Sequence, residues 1–273
     1  MIASTRATRL ASDGTELLVR SWAPDAPARA GVVVLHGLAE HSGRYEHVGA
    51  HLAGAGMAVT AIDYRGFGES GGHRAYVGSI DDYLDDLDPV VVEAASDGVP
   101  VVLLGHSLGG LVALRYAQTR GRPDYLILSS PTVDADIPTV KRMMARVLRR
   151  IIPRLALRNE IEGEQLSRDP SVGEAYFADP LVYPKTTAAL GGAMLEAMED
   201  ARAGGIPIPT LVIHGEQDPL VLPEFSAPLA DLPGVTRITF PEFRHESFNE
   251  EGGTVALETV TDWISEQLAQ TAS

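Results

Sequence analysis

Seven short runs recur along the chain, most of them apolar from end to end: ELLVRSW (16–22), GVVVLHG (31–37), GMAVTAIDYRG (56–66), PVVLLG (100–105), YLILSS (125–130), TLVIHG (210–215) and VTRITF (235–240). A valine-rich run without polar alternation, such as GVVVLHG, fits a strand covered on both faces. Patterns of helical period lie between the runs, at 44–54, 79–97, 109–120 and 253–270. Strands alternating with helices predict an α/β chain: a mostly parallel central sheet flanked by helices.

The rhythm breaks once. From about 132 to 206 no strong strand pattern occurs, and Pro138, Pro153, Pro170, Pro180 and Pro184 punctuate a helical stretch. This predicts an inserted helical cap, dividing the chain into core (1–131), cap (132–206) and core (207–273). Within the cap, KRMMARVLRRIIPRLALR (141–158) has seven basic residues and no acidic one, although the whole chain carries a formal net charge of −15. Val140, Met143, Met144, Val147, Leu148, Ile151 and Ile152 form one helical stripe, and Arg142, Arg146, Arg149 and Arg150 lie on the other side. Asp136 is the expected N-cap, Pro138 is expected in the first turn, and Pro153 should end or kink the helix. Two uses of such a helix are open. Its stripe packs on the core with the arginines in water, or the arginines also steer the cap to anionic lipid.

The acidic balance argues against non-specific nucleic-acid binding. The absence of cysteine excludes disulfides, thiolate metal sites and cysteine nucleophiles. Residues 1–22 lack the apolar segment of a signal peptide, and no stretch approaches the roughly 18 apolar residues of a bilayer span. A cytoplasmic chain is expected, with any membrane or micelle contact peripheral and made through the cap.

Gly105-His106-Ser107-Leu108-Gly109 stands between an apolar run and the helical pattern LVALRYAQ. A G-x-S-x-G in that context predicts a serine on a strained turn with Oγ raised above the sheet edge. The hydroxyl needs a base, and the expected chain order is serine, acid, histidine. His214 and His245 are the histidines that follow Ser107. His214 lies inside a strand run, whereas His245 lies in the loop PEFRHESF and leaves room for an acid upstream. That acid is expected at Asp218, just past the run 210–215, with Glu216 as second candidate. Backbone N–H donors for an oxyanion are expected at Leu108 and at Leu38, in the loop HGLAEHSGRY. Asp63, Arg65 and Ser70 are expected to brace a glycine-rich loop. His106 should pack under the turn, and Met194 and Met198 should form an apolar face of the cap or line an acyl site. His41 and His47 lack an acidic ligand in register, so no metal site is expected.

The segments HGLAEHSGRY (36–45), DYRGFGESGG (63–72), GHSLGG (105–110), DPLVY (179–183), HGEQDPLV (214–221) and RHESFNE (244–250) span most of the chain. With them it resembles the α/β-hydrolases of the monoacylglycerol lipase type. Leu38 and Ala39 stand where a related HGGG pattern has glycines. The resemblance implies a cap over an apolar acyl tunnel, Ser107, Asp218 and His245 as triad, Leu38 and Leu108 as oxyanion-hole donors, and no cofactor. It implies hydrolysis of fatty-acid esters, monoacylglycerols first, through an acyl-enzyme. The same triad also fits a general carboxylesterase, a lysophospholipase or an acyltransferase, and the scaffold fits a ligand-binding protein without turnover. An epoxide hydrolase or haloalkane dehalogenase needs aspartate where Ser107 stands.

Overall fold

The computed structural model describes residues 2–96 and 98–271. Asp97, the last residue of the second expected helix, lies outside them, as do Met1, Ala272 and Ser273. Eight strands form one sheet: β1 (Thr5–Leu10), β2 (Glu16–Trp22), β3 (Gly31–Leu35), β4 (Ala58–Ile62), β5 (Val101–His106), β6 (Tyr125–Ser129), β9 (Thr210–Gly215) and β10 (Val235–Phe240). Their order is β1-β2-β4-β3-β5-β6-β9-β10. The β1–β2 and β2–β4 pairs are antiparallel, and β4 through β10 run parallel.

Side chains alternate across the pleat into two cores. Val33 and Leu35 of β3 point into the layer of α2 (Asp81–Ala94) and α3 (Leu108–Arg120). Val32 and Val34 point into the layer of α1 (Glu46–Gly54) and α9 (Thr254–Thr271). Each face thus has its own helical cover, which is why these strands read as unbroken apolar runs. β1 was not legible in that way. Its sequence TRATRL is exposed along nearly its whole length, because an edge strand needs only ladder bonds to β2.

Between β6 and β9 lie α4 (Thr139–Ile151), β7 (Ala156–Arg158), α5 (Gly163–Leu166), α6 (Pro170–Ala178), β8 (Lys185–Thr187) and α7 (Ala188–Gly204). The two three-residue strands pair antiparallel, an element the sequence pattern did not indicate. The segment has two layers. Leu190, Ala193, Leu195, Ala197 and Met198 of α7 join the main core, whereas α4 has no buried residue.

The orientation of α4 reverses the expected packing. Val140, Met143, Met144, Val147 and Ile151 are 52–71 % exposed. Three of the four arginines reach toward neighbouring elements instead: Arg146, itself exposed, pairs with Glu199 at 2.7 Å, Arg149 with Glu196 at 2.5 Å, and Arg142 donates to the Ala135 carbonyl at 2.7 Å, while Arg150 is exposed. The apolar face of α7 already fills the space above the core. What α7 offers α4 is its acidic face, so the basic side of α4 docks there. Asp136 does not cap the helix: Pro138 is the N-cap and no side chain bonds the first turn. The helix ends before Pro153, as expected.

Candidate active site

The chain reverses sharply from β5 into α3, and Ser107 sits at the reversal with φ +54°. That conformation is costly for a residue with a Cβ, and close contacts hold it. A Cβ on Gly105 would lie 2.1 Å from the Gly109 carbonyl oxygen, and one on Gly109 would lie 2.1 Å from that of Leu35. The strand and helix therefore approach as closely as they do only because both positions are glycine. Ser107 N–H donates to Ser129 O at 2.9 Å. Its hydroxyl lies 3.2 Å from Thr132 Oγ1, a partner the sequence did not single out.

Asp218 follows β9, and His245 lies in the loop after β10. His245 Nδ1 donates to Asp218 Oδ2 at 2.7 Å. Both groups are buried. The other carboxylate oxygen, Oδ1, accepts the N–H groups of Leu220 at 2.9 Å and Val221 at 3.0 Å. Burial alone would raise the Asp218 pKa, but the His245 charge and the donated hydrogen bonds outweigh it and hold the carboxyl well below the usual range. Burial would lower the His245 pKa; the charge of Asp218 and its hydrogen bond reverse that and raise it. His106 packs beside His245 with ring centroids 4.7 Å apart, and burial together with that neighbour lowers its pKa to about 4. Glu216 is elsewhere: it accepts from Thr239 Oγ1 at 2.6 Å on the surface.

Leu38 and Ser107 share the wall of one cavity of about 180 Å³ with Tyr176, Met194 and His245. Leu108 is the first residue of α3, so its N–H has no intrahelical acceptor. The loop carrying Leu38 is braced from below. Glu40 accepts from Gly37 N–H at 2.6 Å, Tyr45 OH at 2.7 Å and Arg44 at 2.5 Å. Arg44 also grips both oxygens of Glu246, at 2.7 and 2.8 Å, and lies over the Tyr176 ring at 4.9 Å. One guanidinium, on a side chain 11% exposed, therefore ties the Leu38 loop to the residue after His245 and to α6. Sequence reasoning missed this network. The Tyr176 hydroxyl is buried without a partner.

The remaining expectations divide cleanly. Asp63 accepts from Ser42 N–H at 2.7 Å and Glu69 N–H at 2.9 Å, Ser70 Oγ donates to Asp63 O at 2.6 Å, and Arg65 pairs with Asp86 at 2.6 Å, all loop bracing. His41 bonds Asp179 at 2.9 Å and His47 bonds Phe248 O at 3.1 Å. No metal-binding cluster occurs among the described residues. Met198 is buried in the core rather than at the cavity.

A family model described as serine aminopeptidase, S33 matches residues 26–252. The monoacylglycerol lipase of Mycolicibacterium smegmatis is 34% identical, with 98% of this chain aligned to 100% of that protein. Among solved structures, the monoacylglycerol lipase of Paleococcus ferrophilus is similar at a TM-score of 0.84 and 34% identity, covering 91% of this chain and 98% of its own. A soluble variant of the monoglyceride lipase of Saccharomyces cerevisiae, solved with a substrate analog, shares the fold at a TM-score of 0.87 and 18% identity, covering 97% and 96%.

Proposed function

Because the chain belongs to the serine aminopeptidase S33 family of α/β-hydrolases and is a carboxylic ester hydrolase, we propose that Ser107, His245 and Asp218 are its nucleophile, general base and orienting acid, and that it acts on monoacylglycerols. The observation that carries this reading is the buried Asp218–His245 bond of 2.7 Å beside a serine at positive φ, in the wall of one cavity. Rotation of the Ser107 side chain away from Thr132 turns Oγ toward His245 Nε2, the nitrogen that Asp218 leaves free. Nε2 takes the hydroxyl proton as Oγ bonds to the ester carbonyl carbon. The N–H groups of Leu38 and Leu108 receive the oxyanion. The imidazolium returns the proton to the leaving glycerol oxygen, the ester C–O bond breaks, and the acyl group stays on Ser107. Water, deprotonated by the same nitrogen, releases the fatty acid and restores the serine.

The cavity supports a single-chain substrate. Its volume is about 180 Å³, against about 150 Å³ for a cavity that holds benzene. That admits the leading segment of one acyl chain, with the free Tyr176 hydroxyl offered to a glycerol hydroxyl. Monoolein should turn over faster than emulsified triolein; equal rates contradict the assignment. A fluorophosphonate should label the wild type once, on the peptide holding Ser107, and Ser107→Ala should lose roughly 10⁴-fold or more in kcat.

We read residues 132–206 as the cap and its exposed stripe as the contact with the lipid surface that holds the substrate. No helix among the described residues is long and apolar enough to cross a membrane, so this contact is peripheral. The exposed apolar stripe supports attachment by apolar insertion, and Arg146 and Arg149 are paired to α7. A Met143/Met144/Val147 triple serine variant should co-sediment less with phosphatidylcholine vesicles than wild type. Unchanged co-sedimentation refutes the contact.

A further inference from the structure

Asp218 is approached by two imidazoles. His245 Nδ1 at 2.7 Å and His214 Nε2 at 3.1 Å meet the same oxygen, Oδ2. His214 is wholly buried on β9. Its Nε2 faces two acceptors, Asp218 Oδ2 and the Val221 carbonyl at 2.8 Å, so Nε2 carries a proton. Nδ1 turns the other way, to Ser226 Oγ at 2.8 Å on α8 (Pro223–Ser226). Ser226 Oγ in turn receives Arg237 Nε of β10 at 3.2 Å. A line of hydrogen bonds thus runs from a half-buried arginine through a serine and a histidine to the back of the carboxylate.

We propose that His214 is a positioning residue that sets the basicity of His245 by sharing Asp218 Oδ2 with it. This rests on the reading of Asp218 and His245 as acid and base. A hydrogen bond donated to a carboxylate stabilises its charge, leaving less of that charge to hold a proton on His245. With His214 in place, His245 releases its proton at a lower pH than it otherwise would, and more of the enzyme carries a free base. The same contact stops the carboxylate from rotating: backbone N–H groups hold Oδ1, and two imidazoles hold Oδ2.

The other charged or titratable groups facing His245 are His106 from β5, Glu40 from the loop after β3, and its neighbour Glu246. Both glutamates are engaged by Arg44. Asp218 bonds the His245 ring directly, so a change at Asp218 reaches the base without an intermediary. Around His214 the corresponding groups are Asp218 and, behind Ser226, Arg237.

The test is the acid limb of kcat/KM on a soluble p-nitrophenyl ester, for wild type, His214→Leu and His214→Gln. Leucine removes the donor and glutamine retains one. The leucine variant should move the midpoint upward by about half to one pH unit, the scale of one hydrogen bond. The glutamine variant should return it to the wild-type value. A leucine midpoint equal to wild type, or a glutamine midpoint displaced as far as leucine, overturns the proposal. Should the leucine variant not fold, proton NMR of the wild type decides: the His214 Nε2–H resonance should move with the titration of His245, and a resonance indifferent to it overturns the proposal. Activity surviving His245→Ala would instead overturn the triad, a result separate from any midpoint shift.

Discussion

Replacing Arg44 with leucine should cost about 3–5 kcal/mol of stability at neutral pH, the range for breaking a buried ion pair by removing one partner. The side chains of Glu40 and Glu246 are 4% and 5% exposed, and Arg44 is the cation that bonds both. Burial would raise the Glu40 pKa, but Arg44, then His106 and His36, outweigh it and hold it near 2 against an ordinary 4.5. Arg44 is the first of these, so its removal forfeits part of the stability that this depression represents. Because the folded-state pKa lies below the unfolded one, this stability is present above about pH 4.5 and is lost as pH falls toward 2. In the leucine variant Glu40 loses its cation, its pKa rises, and protonation relieves the repulsion. The difference from wild type should therefore shrink between pH 7 and pH 4.5. Urea unfolding followed by tryptophan fluorescence at both pH values measures it. A difference under about 1 kcal/mol at pH 7, the value of an exposed pair, or one that does not shrink in acid, refutes the reasoning.

Asp218→Asn should keep the melting temperature within a few degrees and lower kcat by about 10⁴-fold, since the wrong His245 tautomer is then favoured; a loss under about tenfold contradicts it. In the proposed triad the free base at His245 is the active form, and Asp218 raises its pKa, so kcat/KM should fall in acid with a midpoint above the ordinary 6.5; a midpoint below that value contradicts the burial and charge balance. Thr132→Val removes a hydrogen bond that competes for the Ser107 hydroxyl. It should raise the rate of fluorophosphonate labelling by about fivefold, the equivalent of about 1 kcal/mol; a slower rate would mean that Thr132 assists Ser107 instead.

The parallel strands were legible because helices cover both faces of the sheet, which writes continuous apolar runs into the chain. Ser107, Asp218 and His245 were singled out by their order and by their places just past strand ends. β1 carries Thr and Arg because only its ladder edge is bound, so no apolar pattern marks it. Periodicity located the stripe on α4 but not its direction, which depends on Glu196 and Glu199 some fifty residues later. Distance along the chain also hid the bracing of the site. Arg44 meets Glu246 across 202 positions, and Ser107 meets Thr132 across 25. His214 was weighed as a rival base, and no local feature told that it stands behind the acid.

The two-layered construction of residues 132–206 determines what an exchange of that segment would disturb. β6 and β9 are parallel neighbours, so the chain leaving the end of β6 must travel back along the sheet before β9 begins. α7 makes that return and fills the core on the way. The outer piece, from Thr132 to Thr187, is fastened to the core along its length, among other contacts by Tyr183 N–H to Ala39 O at 2.8 Å, Thr187 Oγ1 to Ala75 O at 2.6 Å, Glu246 N–H to Leu166 O at 2.8 Å and Arg168 to Glu250 at 3.3 Å. Exchange of that segment between homologues would therefore have to keep the partner residues on the core side, Ala39, Ala75 and Glu250 among them. A graft that carried α7 along would have to rebuild the centre of the molecule.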